Sequence, residues 1–409
     1  MSRVVLGCHV LIAAWLVAVA ATSDRSPVGR VLLAGVAVAI MAAFAWWARR
    51  PGGISRGMPN LLAGLLGATS GAGIALPSLA TTGPSALVLL GDAGLVAGLL
   101  LIGIGTATAV RATRGRWRLL AFPVAFVVLQ LGALPLAGAF YGTHPPRTPT
   151  GAARPAAASE VVVTTADGVE LIAWYTPSRN GAAVIVLPGS GGAKGSTIDH
   201  AAVLARHGYG VLALDSRGTG DSRGIGNAWG WHGTADIAGA LDWLTAQAEV
   251  DAGRIAALGL SMGAEEALTA AATDRRLAAV IAEGASGRTA ADLAYLPMDV
   301  LGVIQRLEAV AMYGVAELLT DADAPMPLRE AVATGAGVPI LLIVCDAADE
   351  IGAAPLLQAA SGSVDRWDVP DAPHIGALAA QPAAWEARVS RFLDATVGAR
   401  AGGGADGRT

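Results

Sequence analysis

The chain has 409 residues, 54% of them hydrophobic and only 15% charged, with a mean hydropathy of +0.54. That apolar excess excludes a disordered chain and exceeds what a water-soluble core requires, so part of the chain is expected in lipid. Residues 1–141 carry ten Arg and two acids, Asp24 and Asp92, whereas the remainder carries 18 bases and 30 acids. A net charge of −4 without a basic and aromatic stripe excludes a nucleic-acid partner. The two cysteines, Cys8 and Cys345, lie one in each half within apolar runs, which predicts neither a disulfide framework nor a cysteine metal site.

Crossing about 30 Å of hydrocarbon takes roughly 20 apolar residues. Five runs qualify, at about 4–22, 30–48, 59–80, 86–110 and 119–141, so residues 1–141 are expected to be an all-α transmembrane region. The third run is rich in Gly and Ser and contains Pro77, which leaves a re-entrant segment open; the first, with Arg3 and Ala18-Val19-Ala20, also fits a signal peptide. Arg3, Arg49, Arg50, Arg56, Arg111, Arg114, Arg116 and Arg118 fall on one side of such a bundle, and Arg25, Arg30, Arg147 and Arg154 on the other. Positive charge marks the cytoplasmic side, so the reading is a multi-pass plasma-membrane protein with everything after residue 141 extracytoplasmic. His9, Asp92 and Gln130 interrupt the spans, and a packing or hydrogen-bonding role is preferred for them over transport.

Residues 142–158, rich in Pro, Ala and Thr, read as a linker. A hairpin around Asp167-Gly168 follows, then short, continuously apolar strands at 182–188, 209–215, 254–260, 278–284 and 339–345. Helix-like segments lie between them, which predicts a mostly parallel, helix-covered sheet over residues 159–397. Residues 287–335 read as a helical cap insertion, and residues 398–409 as a flexible tail. The apolar spacing within the insertion fits either an acyl pocket or ordinary packing.

Sites in such sheets form at the carboxyl ends of strands. Gly259-Leu260-Ser261-Met262-Gly263 stands between a strand and a helix, the context in which a tight turn presents a serine oxygen at a helix N-terminus. A serine needs a base and an orienting carboxylate. His374 is the only histidine downstream of Ser261. After the strand at 339–345, Asp346, Asp349 and Glu350 compete; Asp349 is favoured for its place ahead of a helix, with Asp346 as fallback. An oxyanion hole is expected from the N–H groups of Met262 and of Ser190, the latter in the loop Gly189-Ser190-Gly191-Gly192. The spacing around Lys194 does not fit a phosphate-cradling loop. Arg217 and the acids of DSRGTGDS are expected to hold that loop together, while Glu265 and Glu266 suit either a substrate amine or simply the helix N-terminus.

Residues 155–397 resemble the α/β-hydrolase superfamily, in the branch of serine-aminopeptidase-like, dienelactone-hydrolase-like and dipeptidyl-peptidase-like domains. The stretches that carry it are LPGSGG, DSRGTGDSRG, GWHGTADIAGALDWL and GLSMGAEEAL, with Asp349 and His374. Pro188 replaces a frequent histidine, and Ala264 a frequent glycine. The resemblance implies the α/β-hydrolase fold and a serine hydrolase with no cofactor and no metal, acting on a small-molecule or peptide acyl substrate. Ester, thioester and amide cleavage remain open with esterase first, beside a peptidase and a non-catalytic binding or sensor module. A transporter with an accessory domain is a further rival.

Overall fold

A computed structural model describes residues 2–50, 52–113 and 115–398; Arg114 and residues 399–409 of the expected tail lie outside the described residues. The chain divides into two compact units, Met1–Arg147 with Pro297–Asp323, and Thr148–Leu296 with Ala324–Thr409.

The first unit contains five helices long and apolar enough to cross a membrane: α1 (Arg3–Thr22), α2 (Pro27–Trp47), α3 (Arg56–Thr82), α4 (Ala86–Ala112) and α5 (Pro123–Thr143). Serine hydroxyls begin three of them. Ser2, Ser26 and Ser85 accept from the N–H groups of Val5, Gly29 and Val88, satisfying donors that the helices leave open. In α3 and α5 a wide π turn stands just before a proline in the second half of the helix, Gly71–Ala75 ahead of Pro77 and Leu129–Ala133 ahead of Pro135. A proline ring clashes with the carbonyl four residues back, and the wider turn relieves that clash without breaking the helix. The Gly-rich third run is therefore a continuous helix and not a re-entrant loop.

The small residues of that run have a packing role. Cβ atoms built at Gly64 and Gly71 would stand 2.7 Å from the Gly98 carbonyl oxygen and 2.8 Å from the Gly91 carbonyl oxygen. One at Gly105 would stand 2.7 Å from the carbonyl oxygen of Gly57. Two glycine rows spaced by seven, on antiparallel helices, thus let α3 and α4 approach backbone to backbone, as small residues do where lipid supplies no hydrophobic drive. Trp15 closes over the pair, its indole N–H donating to Ser70 Oγ at 2.9 Å. Of the polar interruptions, His9 bonds the Val5 carbonyl and Gln130 bonds Glu308, while Asp92 Oδ1 is buried without a partner.

The expected 287–335 insertion is divided between the two units. Helix α9 (Val300–Leu319) belongs to the first, where it packs on the second half of α5. Its Gly302, Ala309 and Ala316 are buried at seven-residue intervals.

The second unit is an eight-stranded sheet in the order β1-β2-β4-β3-β5-β6-β7-β8. β1 (Ser159–Thr164) and β2 (Glu170–Thr176) form the expected antiparallel hairpin, and β2 is antiparallel to β4 (Gly210–Leu214). β3 (Ala183–Leu187), β4, β5 (Ile255–Leu260), β6 (Leu277–Glu283), β7 (Ile340–Val344) and β8 (Val364–Asp368) are parallel. Alternate residues feed two cores. Ile185 and Leu187 pack with α7 (Gly233–Thr245), α8 (Met262–Thr273), α10 (Leu328–Thr334) and α11 (Ala348–Ala360). Val184 and Val186 pack with α6 (Ile198–Arg206) and α12 (Pro382–Thr396). Helices on both faces explain why these strands read as continuous apolar runs.

The glycine rows predict a sharp positional contrast. Gly98→Ile should destabilise the first unit by at least about 1–3 kcal/mol through overpacking. Gly103→Ile, on the same helix with nothing within 4 Å of its Cβ position, should leave thermal unfolding in detergent unchanged.

Candidate active site

Ser261 links β5 to α8 with φ 52° and ψ −117°, a left-handed conformation that costs a non-glycine residue about 1–3 kcal/mol. Its N–H donates to the Glu283 carbonyl at 2.7 Å, tying the turn to the neighbouring strand. The flanking glycines are steric requirements. A Cβ at Gly259 would stand 2.1 Å from the Gly263 carbonyl oxygen, and one at Gly263 would stand 2.7 Å from Leu187 Cβ. The turn therefore closes only when both positions lack side chains.

His374, in the loop after β8, places Nε2 at 2.9 Å from Ser261 Oγ and Nδ1 at 2.6 Å from Glu350 Oε1. A carboxylate at Nδ1 keeps the proton there and leaves Nε2 as acceptor for the serine hydroxyl. The Glu350 hydrogen bond, more than any other cause, holds the imidazole pKa above its ordinary 6.5, against the opposing effect of burial. Glu350 is itself 1% exposed, and its Oε2 accepts the Cys345 N–H at 2.7 Å.

The carboxylate that meets His374 Nδ1 is thus Glu350, and neither the favoured Asp349 nor the fallback Asp346. Both aspartates are exposed, and Asp346 meets this region only through its backbone N–H on the Ala372 carbonyl. Neighbouring residues in the first turn of α11 point about 100° apart, so only one of positions 349 and 350 can face His374. A signal was present in the sequence. Glu350, Ala353, Ala354 and Leu357 follow the helical spacing i, i+3, i+4, i+7 and are the buried stripe of α11, which Asp349 does not join.

Glu283, which the sequence reading passed over, is fully buried at the end of β6. Its carboxylate accepts the Ala377 N–H at 3.0 Å and the Trp385 indole N–H at 3.0 Å, pinning the chain just beyond His374. Its run of apolar neighbours in AAVIAEG gave no hint of a role beyond ending a strand.

Met262 is the first residue of α8, so its N–H has no carbonyl one turn back to bond. Ser190 is exposed in the loop after β3, next to Gly189, where a built Cβ would stand 3.3 Å from Ser261 Cβ. That loop is held from behind by Lys194, wholly buried. Lys194 Nζ donates to Asp215 at 2.6 Å and Asp221 at 2.7 Å, and its N–H donates to Asp215 at 2.6 Å. Arg217 pairs with Asp167 and Asp236, so this loop's charges are structural, as expected; the guanidinium draws Asp167 down to about 2.

The two glutamates after the turn face opposite ways. Glu265 Oε1 accepts the N–H groups of Ser286 and Gly287, and burial raises its pKa. Glu266, 1% exposed, lines a small polar chamber with Ser216, Asn227 and Asp236, and burial pushes it up to about 8. A side chain at Gly230 or Gly233 would collide with it. Among the described residues, no group of three or more His, Cys, Asp and Glu is placed to hold a metal.

The sequence profile of the X-Pro dipeptidyl-peptidase (S15) family matches residues 147–328. Two uncharacterized proteins of Mycobacterium tuberculosis strains are each 38% identical over 115 residues, 27% of this chain and 40% of theirs. A polyketide transferase of a Penicillium species is 35% identical over 128 residues, 30% of this chain and 44% of that protein. The chain thus spans less than half the length of the curated relatives it matches. Among solved structures, an esterase of Pyrococcus furiosus aligns with TM-score 0.47 and 22% identity over 62% of this chain and all of that one. With its mostly parallel sheet opened by an antiparallel hairpin and its serine at the tight turn after β5, the second unit has the α/β-hydrolase fold.

Proposed function

We propose that the chain is a membrane-anchored serine hydrolase that cleaves an ester, thioester or amide through an acyl-enzyme, with esters preferred. The observation that carries this is the unbroken line of hydrogen bonds from Ser261 Oγ through His374 to buried Glu350, at 2.9 and 2.6 Å. In this reading His374 takes the serine proton as Oγ attacks the carbonyl carbon. The N–H groups of Met262 and Ser190 receive the developing oxyanion, and the imidazolium then gives its proton to the departing alcohol, thiol or amine. Water, activated by the same histidine, releases the acid and restores the serine. The five apolar helices and the arginine distribution support a membrane anchor with the hydrolase unit extracytoplasmic.

The match to X-Pro dipeptidyl-peptidases favours a second reading as a peptidase acting at peptide amino termini. The glutamates speak against it: Glu265 is spent on two backbone N–H groups, and Glu266 is buried in a chamber with room for little beyond its own carboxylate. Glu265 is thereby occupied, and Glu266, whose Oε2 has no hydrogen-bond partner among the described residues, is shut off from solvent.

Labelling with a fluorophosphonate tests the activated serine without a known substrate. Membranes carrying the wild type or Asp349→Asn should label, and those carrying Ser261→Ala or His374→Ala should not. A well-folded wild type that stays unlabelled would replace the enzyme reading with that of a binding module. Against whichever ester proves a substrate, Ser261→Ala should lower kcat by on the order of 10⁴-fold or more. Glu350→Gln should lower it by about 10²- to 10⁴-fold while Asp349→Asn costs little.

The pH profile carries its own sign. Only neutral His374 can accept the serine proton, and its pKa is raised, so the acid limb of kcat/KM should have its midpoint above 6.5. Removing the negative charge in Glu350→Gln should move that limb to lower pH. A limb that does not respond to Glu350→Gln would show that another group titrates.

A further inference from the structure

The apolar stripe of α9 has no partner within its own unit, although the helix sits among segments that the proposed function assigns to the membrane. Its buried seam is Gly302, Ala309 and Ala316. The opposite face presents Val303, Leu307 and Val310 at 38%, 48% and 59% exposure, continued at the N-terminal end by Val300 and Leu301. A helix on a protein that meets water directs its apolar stripe inward and its polar residues outward. Toward α5, Met312 fits over Gly138, whose built Cβ would stand 2.8 Å from its Sδ, while Val303, Leu307 and Val310 face out, as on a helix whose solvent is hydrocarbon.

The polar groups of α9 follow the same logic. Glu308 takes the Gln130 amide at 2.9 Å, pairing the polar side chain within α5 with one on α9. Arg306 folds back onto the Pro297 carbonyl at 3.2 Å. Just past the C-terminal end, Asp321 pairs with Arg25 at 2.8 Å, and Thr320 bonds Asp24, both in the turn between α1 and α2. The ion pair and the hydrogen bond to the α1–α2 turn thus lie just past the C-terminal end of the helix, where a membrane surface would lie. The outward face of α5 is equally apolar, with Val124, Phe126, Val127, Val128 and Leu131 exposed.

We propose that α9 is a lipid-facing helix, seated in the bilayer beside α5 through Met312 on Gly138 and Glu308 on Gln130 and presenting Val303, Leu307 and Val310 to acyl chains. The inference rests on the membrane reading above and goes beyond it, because α9 lies between strands of the hydrolase sheet in the sequence. The catalytic unit would then be tied to the membrane twice, at Arg147 and again through residues 297–323.

Fluorescence quenching by brominated lipid tests it. In the full chain with Cys8 and Cys345 replaced by Ala, single cysteines at Leu307 and Val310 would carry a bimane label. Val127→Cys on α5 and Val162→Cys on β1, both exposed, would serve as the lipid and water references. In phosphatidylcholine vesicles with brominated acyl chains, the labels at 307 and 310 should lose a fraction of their emission comparable to that at 127, while 162 stays bright. Bright labels at 307 and 310 beside a quenched 127 would overturn the proposal and leave the anchor intact. A bright label at 127 as well would overturn the membrane reading and this proposal with it.

Discussion

The left-handed backbone at Ser261 is the constraint around which the carboxyl end of the sheet is arranged. A serine with φ 52° persists only where its surroundings over-determine it. Here β5 lies in the middle of the sheet, so both neighbouring strands contribute. The Glu283 carbonyl at the end of β6 holds the Ser261 N–H, and the loop beyond β3 presses Gly189 against the serine side chain. Gly259 and Gly263 are what the turn needs locally, and α8 follows with its unpaired N–H groups aimed at the same point. The next strands outward supply the remaining parts, Glu350 after β7 and His374 after β8, so strand order alone brings three sequence-distant groups into one line of hydrogen bonds.

Around that line, the buried cations of two loops are paired with carboxylates. Lys194 is the chain's single lysine, and its ammonium reaches three acceptors in different directions, Asp215, Asp221 and Thr150. A compact cation on a flexible stem can do this, whereas a planar guanidinium is better matched to one carboxylate at a time. Arg217 does the complementary task, forking between Asp167 on the hairpin and Asp236 at the start of α7. Removing Asp215 or Asp236, the buried aspartate of each set, would leave a buried cation short of its counter-charge, which costs more than the net worth of the pair. These two clusters fix the loops after β3 and β4 and so define where an oxyanion could sit.

The hairpin, the parallel strands and the placement of Ser261 and His374 were legible in the sequence because each rests on a local pattern: alternation, a continuous apolar run, or a turn whose steric demands only glycine meets. The choice between Asp349 and Glu350 was not settled by chain order, since both stand after β7 in the same helical turn. It follows instead from helix phase. Position 350 shares the buried stripe with Ala353, Ala354 and Leu357, and the glutamate's longer arm spans the distance to His374 Nδ1. Counting residues from the strand end gave the wrong neighbour; counting around the helix gives the right one. Glu283 had no such signal, because its value comes from Ala377 and Trp385, which lie about a hundred positions downstream.

The same distinction between how many charges a segment carries and where they point governs α9. Arg306, Glu308 and Glu317 lower its average hydropathy enough that composition gives no membrane reading, and its spacing fits a cap on a soluble domain equally well. What composition averages away is direction. Glu308 is matched by Gln130, an otherwise unfavourable amide within an apolar helix, and each makes the other's burial affordable. Gln305 and Glu317 remain exposed, but Val303, Leu307 and Val310 form an apolar outer face. A polar pair across the α5 contact and an apolar outer face are each weak signals, and hydrocarbon as the solvent is what would make them consistent.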